Sequence, residues 1–186
     1  MMMTDNNASD HLHSELILRP VGVVRSKLKE PSLTAGEDDL ESDHDMEGVM
    51  KDARKIRGML SEIVIDSRFD GILDGLEHFS HIMVLYWPHR VPDEKRGLIK
   101  VHPMGRKDFP LVGVFATCSP VRPNPILITA VELVERRSNT LKVRGLEAVD
   151  GSPVLDIKPY NPHYYFVDDV RVAEWMKRAI QEKTRK

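Results

Sequence analysis

Cysteine is nearly absent from this sequence, and its scarcity excludes several kinds of site. Cys118 is the single cysteine among 186 residues, so the chain can form neither an internal disulfide nor a multi-cysteine zinc or iron–sulfur site. The first residues are polar and lack the apolar core of a signal peptide. Both features are typical of a protein in a reducing compartment, and we expect a cytoplasmic location.

Long apolar runs and a charge excess are lacking as well. The longest apolar run extends only from Ile82 to Trp87, far short of the roughly 20 residues that a membrane helix needs. The net charge is −2, from 27 Lys and Arg against 29 Asp and Glu, which argues against non-specific coating of nucleic acid. With 41% hydrophobic residues, the composition predicts one globular domain that is not embedded in a membrane.

The common signatures of nucleotide and metal chemistry are missing too. The sequence contains no Gly-x-Gly-x-x-Gly fingerprint, no phosphate-binding loop, no His-Glu-x-x-His and no Gly-x-Ser-x-Gly. Among the eight histidines, His78 and His81 lie close in sequence, but on one strand a spacing of three points them to opposite faces. We therefore expect no metal site.

Extended, β-branched segments recur through most of the chain. They read ELILRPVGVVRS, MLSEIVIDSRF, FSHIMVLYW, LVGVFAT, PILITAVELVERR, TLKVRGLEAV and SPVLDIKPY. The turns SNT and DGSP stand at hairpin spacing, and helices do not alternate with the strands as in a doubly wound sheet. The sequence therefore predicts a mostly β fold, built as a single small antiparallel β-barrel.

The remaining segments differ from this pattern. Residues 1–14 are polar and predict a disordered tail. Residues 88–110 are rich in proline and cations and predict a long loop. After Asp168 apolar residues recur at a period near 3.6, which predicts a C-terminal α-helix with Asp168 or Asp169 as its cap. We place the barrel domain at residues 15–165 and the helix at residues 166–186.

The segment from Val112 to Pro125, VGVFATCSPVRPNP, is the first candidate for chemistry. Its apolar part predicts a strand that ends at Thr117. Prolines on both sides of Asn124 restrict the backbone there and at Arg122, which presets both side chains toward a ligand. A stiff loop that only joins two strands has the same pattern, and Cys118 fits either a nucleophile or a small buried side chain.

The second candidate segment is EAVDGSPVLDIKPYNP, residues 147–162. Its hairpin turn carries Asp150, and the strand that follows carries Asp156, Lys158 and Tyr160. The even spacing of these three residues puts them on one face of the strand. That face is either the wall of a pocket or an exposed surface, where an Asp–Lys pair contributes little to stability.

These two segments, together with GVVRS and GLEHFSHIMVLYW, resemble the TsaA-like (TrmO) family in order and spacing from about Leu16 to Pro162. The resemblance implies a small β-barrel that binds S-adenosyl-L-methionine without a Rossmann fold and works as a homodimer. It also implies a tRNA methyltransferase. The expected acceptor is N6 of N6-threonylcarbamoyladenosine, next to the anticodon in the tRNA anticodon loop.

The resemblance assigns residues as well. The implied cofactor-binding positions are Pro88, His89, Cys118, Leu127, Val149, Asp150, Gly151 and Ser152. The implied substrate-binding positions are Arg122, Asn124 and Lys158. Many relatives have arginine in place of Cys118 and glycine in place of Leu127. Because of these departures, two alternatives stay open: a methyltransferase with a different acceptor, and a non-catalytic S-adenosyl-L-methionine-binding protein. A further alternative function is an RNA-binding barrel without a cofactor.

A methyltransferase acting on a delocalised nitrogen benefits from a base. We expect Asp156 and Tyr160 to be catalytic, held by Arg122 or Lys158, on the strand-face geometry alone. Cations for tRNA are expected in two stretches: Lys51, Arg54, Lys55 and Arg57, and then Arg90, Lys95, Arg96, Lys100, Arg106 and Lys107. A charged loop that only faces water is an equal alternative.

Overall fold

The computed structural model describes residues 16–31, 33–41 and 46–184. Its strands are β1 (Gly22–Arg25), β2 (Thr34–Ala35), β3 (Leu40–Glu41), β4 (Leu60–Ile65), β5 (His81–Tyr86), β6 (Lys100–Val101), β7 (Val112–Gly113), β8 (Leu127–Arg137), β9 (Thr140–Arg144) and β10 (Pro153–Pro159). Its helices are α1 (Met46–Gly58) and α2 (Glu174–Thr184). The tail predicted over residues 1–14 lies outside the described residues.

Six strands close into one antiparallel barrel. Their order is β1–β10–β5–β8–β9–β4, and β4 pairs with β1 to complete the circle. Buried and more exposed side chains alternate along the strands. In β5, for example, Ile82, Val84 and Tyr86 are buried between more exposed neighbours. Ile63 of β4 and Leu141 of β9 pack into the same interior. The predicted mostly β fold with a single antiparallel barrel is confirmed.

The long loop after β5 is packed onto the segment that follows β1. Strand β2 pairs with β3, and β6 pairs with β7, giving two short ribbons outside the barrel. They share a second core of Leu40, Val101, Val114 and Val121, each at most 5% exposed. The loop therefore has a fixed shape beside the barrel, because burial of these four side chains favours it over an extended chain.

Asp39 fastens the two ribbons together. Its carboxylate accepts hydrogen bonds from the His102 backbone N at 2.8 Å, the His102 Nδ1 at 2.6 Å and the Lys107 Nζ at 2.7 Å. Burial opposes the charge, but the hydrogen bonds from Lys107 and His102 outweigh it and hold the pKa of Asp39 below its usual range. Asp39 is thus an ionised anchor between distant segments.

Helix α2 confirms the predicted C-terminal helix but begins later than expected. Its first residue is Glu174, so the predicted start at residue 166 and the predicted cap at Asp168 or Asp169 are wrong. Asp169 has a positive φ of 52°, which no helical turn adopts. The helix packs on the long loop, where the Trp175 ring lies 5.9 Å from the Phe109 ring.

Helix α1 is not predicted by the sequence. Among its described side chains only that of Ile56 is buried, while Lys51, Arg54 and Lys55 are exposed. The sequence does contain a helical period here, since Val49, Ala53 and Ile56 recur at spacings of three and four residues. Its C-terminal end lies beside β9, because the Gly145 backbone N, just after β9, donates to the carbonyl of Met59, just after α1, at 3.0 Å.

Within the described ranges, no helix has the length and apolar character needed to cross a membrane. Nor does that part of the chain place three or more His, Cys, Asp or Glu side chains together as a metal site. His78 lies in a short 3₁₀ turn and His81 begins β5. The His81 Nδ1 lies 2.9 Å from the Ser80 Oγ.

Candidate functional site

A cavity opens at one end of the barrel, where β1 and β5 end and β8 and β10 begin. Antiparallel pairing brings these strand ends together, because Tyr86 at the end of β5 pairs with Leu127 on one side and Val154 on the other. The lining is mostly apolar and comes from residues within 28–33, 86–91, 118–122, 126–129 and 147–152. Segments far apart in sequence therefore form one concave site.

The cavity gathers most of the residues predicted to bind a cofactor. Those in its lining are Pro88, His89, Cys118, Leu127, Val149 and Ser152. Arg122, predicted to bind substrate, lines it as well. Asp150 and Gly151 belong to the turn between Val149 and Ser152 but stand outside the lining, and so does Asn124, which is exposed.

Arg122 reaches the cavity, but its guanidinium is held by its own loop. Its Nε donates to the Ser119 carbonyl at 2.9 Å, and its Nη2 donates to the Thr117 carbonyl at 2.6 Å and to the Val114 carbonyl at 3.4 Å. These hydrogen bonds close residues 114–122 into a compact loop that carries Cys118. Arg122 therefore shapes a wall of the cavity, and its substrate contact stays a prediction.

The strand predicted to end at Thr117 is shorter than expected. Strand β7 contains only Val112 and Gly113, and a 3₁₀ turn occupies Val114–Ala116. The prediction is wrong here because the carbonyls of Val114 and Thr117 accept from Arg122 instead of continuing a ladder. A local β-branched pattern does not reveal such a distant donor.

Asp150 and Gly151 organise the turn that precedes β10. The Asp150 Oδ1 accepts from the Ser26 backbone N at 2.9 Å, and the Asp150 backbone N donates to the Leu28 carbonyl at 2.8 Å. Gly151 has a φ of 84°, and a Cβ at this position would lie 3.7 Å from the His89 Nε2. Asp150 thus positions the cavity-lining Leu28, and Gly151 supplies the positive φ that the turn requires.

His89 contributes a neutral ring to the cavity. Burial, followed by the nearby positive charge of Arg90, holds the pKa of His89 below its usual range. The His89 Nδ1 lies 3.4 Å from the Ser152 Oγ, at the outer limit of a hydrogen bond. At neutral pH the imidazole is therefore mostly uncharged and does not repel a cationic ligand.

Asp156, Lys158 and Tyr160 lie outside the cavity. In the register of β10 with β5, Asp156 pairs with Leu85 and Lys158 with Met83, on the face opposite the buried core residues. The Asp156 Oδ2 lies 2.7 Å from the Lys158 Nζ, and both side chains are about half exposed. Tyr160 packs on a neighbouring tyrosine ring at a centroid distance of 5.7 Å.

Asp156 is the one of the three that approaches the cavity. Asp156 pairs with Leu85 on β5, and Leu85 pairs with Ile128 on β8. Ile128 lines the cavity. Two strand spacings place Asp156 about 10 Å from Ile128. Tyr160 lies at the opposite end of β5, where its backbone N donates to the His81 carbonyl at 3.0 Å. The structure therefore brings neither predicted catalytic residue into the cavity.

Comparison with known proteins identifies the domain. Residues 41–165 match the family model described as the tRNA-methyltransferase O N-terminal domain. The chain belongs to this family. The matched range contains α1, strands β4 to β10 and most of the segments that line the cavity.

Two curated relatives are similar to this chain over most of their length. A probable S-adenosyl-L-methionine-binding protein of Methanothermobacter thermautotrophicus is 42% identical over 146 residues, which cover 78% of this chain and 90% of the relative. An S-adenosyl-L-methionine-binding protein of Archaeoglobus fulgidus is 42% identical over 150 residues, which cover 79% of this chain and 91% of the relative.

A solved member of the tRNA-methyltransferase O family has a similar fold. The crystal structure of TrmO from Pseudomonas aeruginosa matches with a TM-score of 0.60 and 26% sequence identity over 86% of this chain. The chain spans 62% of the length of that TrmO chain.

Several cavity residues are not predicted by the sequence. Tyr86 forms part of the floor, where its hydroxyl donates to the Glu147 carbonyl at 2.9 Å and burial raises its pKa to about 12. The only sequence feature that places Tyr86 in the interior is the alternation of buried and exposed residues along β5. Leu28, Pro31 and Leu33 line the cavity from the segment between β1 and β2, where the sequence has no pattern that predicts a binding site.

Proposed function

We propose that this protein is an S-adenosyl-L-methionine-dependent methyltransferase that acts on tRNA. The observation that carries the proposal is the cavity at the barrel end, which gathers six of the eight predicted cofactor positions from four separate segments. The curated relatives carry S-adenosyl-L-methionine in their names, and the cofactor of this chain is the same compound.

The chemistry of the lining fits this cofactor. Leu28, Leu127 and Val149 offer apolar surface to an adenine ring and to the carbons around sulfur. Glu147 belongs to the lining, and its negative charge near Tyr86 favours the ammonium and sulfonium charges of the cofactor. The neutral ring of His89 avoids repulsion with the same charges.

When bound, S-adenosyl-L-methionine supplies a methyl group that is already activated, because its leaving group is a neutral thioether. The protein then has to orient the acceptor and exclude water. The apolar walls of the cavity exclude water, and Arg122 and Asp150 keep two of its loops in shape. Such preorganised walls reduce the entropic cost of alignment.

The acceptor that we propose is N6 of N6-threonylcarbamoyladenosine beside the tRNA anticodon, as the family resemblance implies. This nitrogen is delocalised, so a base contributes on the order of 10²- to 10⁴-fold in rate. Asp156 is the nearer candidate and Tyr160 the more remote one. We also propose a homodimer, in which these groups on the outer face are available to the cavity of the second copy.

Incubation with methyl-labelled S-adenosyl-L-methionine and total tRNA, followed by nucleoside mass spectrometry, tests this function. We expect label in N6-threonylcarbamoyladenosine. Label in another nucleoside would replace the proposed acceptor. Absence of label from all tRNA, in protein that binds the cofactor by calorimetry, would overturn the proposed methyl transfer.

Single-turnover methylation by Asp156→Asn and Tyr160→Phe variants tests the catalytic assignment. A base role predicts a rate loss on the order of 10²-fold or more with unchanged cofactor affinity. Tyr164→Phe is the matched control, since Tyr164 is 77% exposed and has no assigned role. Normal rates in both test variants would remove Asp156 and Tyr160 from catalysis.

A second candidate function is S-adenosyl-L-methionine binding without methyl transfer. It is favoured by the position of Asp156 and Tyr160 outside the cavity and by Cys118 and Leu127 in the lining, where many relatives have other residues. Calorimetric binding without any labelled nucleoside would support this alternative over the enzyme.

A further inference from the structure

Most cations that the sequence predicts for tRNA binding in the long loop are engaged within the protein. They are Lys95 (Gly36 carbonyl, 2.8 Å), Arg96 (Asp93, 2.7 Å), Arg106 (Asp108, 2.6 Å, and Glu182, 2.5 Å) and Lys107 (Asp39, 2.7 Å). These contacts hold the second core and α2 in place. Binding phosphate with them would require breaking them, so the loop is a poor basic surface.

A different basic surface lies at the same barrel end as the cavity. It is a groove on the outer face of β1, β4 and β9, which we call the β1–β4–β9 groove. Its lining includes the charged residues Arg25, Lys27, Glu62, Lys142 and Asp150 and the hydroxyl residues Ser26 and Ser61. The strand register explains the arrangement, since Arg25 pairs with Glu62 and Glu62 pairs with Lys142 in one cross-strand row.

The groove carries a net positive charge. Its carboxylates are Glu62 and Asp150, but the Asp150 Oδ2 already accepts from the Lys29 Nζ at 2.7 Å. The hydrogen bonds from Lys29 and from the Ser26 backbone keep the pKa of Asp150 below its usual range, so this carboxylate stays ionised and paired. Among residues 16–31, 33–41 and 46–184, Arg25, Lys27 and Lys142 make no direct salt bridge to a carboxylate, although the Arg25 charge lies near enough to Asp150 to help lower its pKa.

Helix α1 extends the positive surface toward the same barrel end. Arg57 lies in its last turn, and the Arg57 backbone packs beside Gly145 at the end of β9. Lys51, Arg54 and Lys55 are exposed and share one helix face at spacings of three and four residues. The C-terminal end of this basic helix therefore lies next to the end of β9, one of the strands that carry the groove.

We infer that the β1–β4–β9 groove binds phosphodiester groups of the RNA substrate. A single turn separates it from the cavity, because Asp150 lines the groove while Val149 and Ser152 line the cavity. An RNA strand with its phosphates in the groove therefore has a nucleoside within reach of the cavity. Phosphate contacts of this kind fix register and orientation, and the inference rests on the proposed action on tRNA.

The test uses the triple variant Arg25→Ala, Lys27→Ala and Lys142→Ala. Its binding to tRNA is measured by fluorescence anisotropy between 50 and 200 mM salt, roughly the range over which phosphate contacts are resolved. The matched control is Arg68→Ala, Arg137→Ala and Lys177→Ala. It removes the same charge from surface pairs with Asp66, Glu135 and Glu174. Calorimetry with S-adenosyl-L-methionine reports whether each variant keeps the intact cavity.

We expect the groove variant to lower the salt slope of log Kd by about 2 to 3 and to weaken binding on the order of 10- to 100-fold near 0.15 M salt. The control should bind tRNA like the wild type, and cofactor affinity should be equal in all three proteins. A wild-type slope in the groove variant, or the same loss in the control, would overturn the groove assignment alone. Wild-type protein that binds the cofactor but no tRNA would overturn the proposed function itself.

Discussion

Replacing Arg122 by alanine removes the guanidinium that closes the loop 114–122. The wild-type side chain donates hydrogen bonds of 2.9 Å to the Ser119 carbonyl and 2.6 Å to the Thr117 carbonyl, with a longer one to Val114. Hydrogen bonds to charged groups contribute about 1.5–3 kcal/mol each, and the partly exposed site argues for the lower end. Two such bonds therefore stabilise the closed loop by about 3 kcal/mol.

If the loop opens in Arg122→Ala, cofactor binding has to close it again, and the free energy required for closing weakens the cofactor affinity. Closing it again on binding costs up to about 3 kcal/mol, which corresponds to as much as about 100-fold in Kd. Arg122→Lys keeps the positive charge but lacks the planar fork that reaches several carbonyls at once. We therefore expect an intermediate Kd for the lysine variant.

Calorimetric titration with S-adenosyl-L-methionine, combined with the KM for tRNA, distinguishes the roles of Arg122. A wall-shaping role predicts weaker cofactor binding in the order wild type, Arg122→Lys, Arg122→Ala. A direct substrate contact predicts instead a higher KM for tRNA with unchanged cofactor affinity. A cofactor Kd in Arg122→Ala within a factor of about 2 of wild type would refute the reasoning from the carbonyl contacts.

Two further predictions concern ionisable side chains. Asp39→Ala leaves the His102 backbone N and the Lys107 ammonium without their acceptor, and we expect a loss of about 2–3 kcal/mol in the free energy of unfolding. Because the pKa of Asp39 is lowered, its contribution is complete above about pH 4 and is lost as the pH falls. Chemical denaturation should show a smaller acid-dependent loss in the variant; equal losses would contradict the anchor. For His89, whose lowered pKa keeps it neutral at pH 7, we expect cofactor affinity to be constant down to about pH 6.5 and to fall below it. His89→Gln should remove this fall, and a flat wild-type profile would argue against His89 facing a cationic ligand.

The barrel could be predicted because its signals are local. Runs of β-branched residues mark β4, β5, β8, β9 and β10, and the period of two correctly turns Asp156 and Lys158 to one face. Helix α1 was missed although Val49, Ala53 and Ile56 have a helical period, because that period lies within a segment rich in charged residues. The strand predicted to end at Thr117 ends earlier because the Arg122 guanidinium donates hydrogen bonds to the carbonyls of Val114 and Thr117.

The family resemblance implied seven of the residues that line the cavity, but the partners of their side chains could not be predicted. Asp150 bonds to Ser26 across 124 positions of sequence, and Lys107 bonds to Asp39 across 68. Such pairs depend on how the ribbons and the barrel pack, which residue spacing does not encode. The same limit explains why the sequence could not separate the engaged cations of the loop from those of the β1–β4–β9 groove.

Alkylation of Cys118 tests most directly the claim that S-adenosyl-L-methionine binds in the barrel-end cavity. Cys118 is the single thiol of the chain, and it is exposed in the cavity lining. Its reaction with N-ethylmaleimide is followed by mass spectrometry with and without the cofactor, and ATP serves as the control ligand. At a cofactor concentration of 100 Kd only about 1% of the protein remains free, so we predict near-complete protection by S-adenosyl-L-methionine and none by ATP. An unchanged alkylation rate in protein that calorimetry shows to be saturated with cofactor would contradict the account.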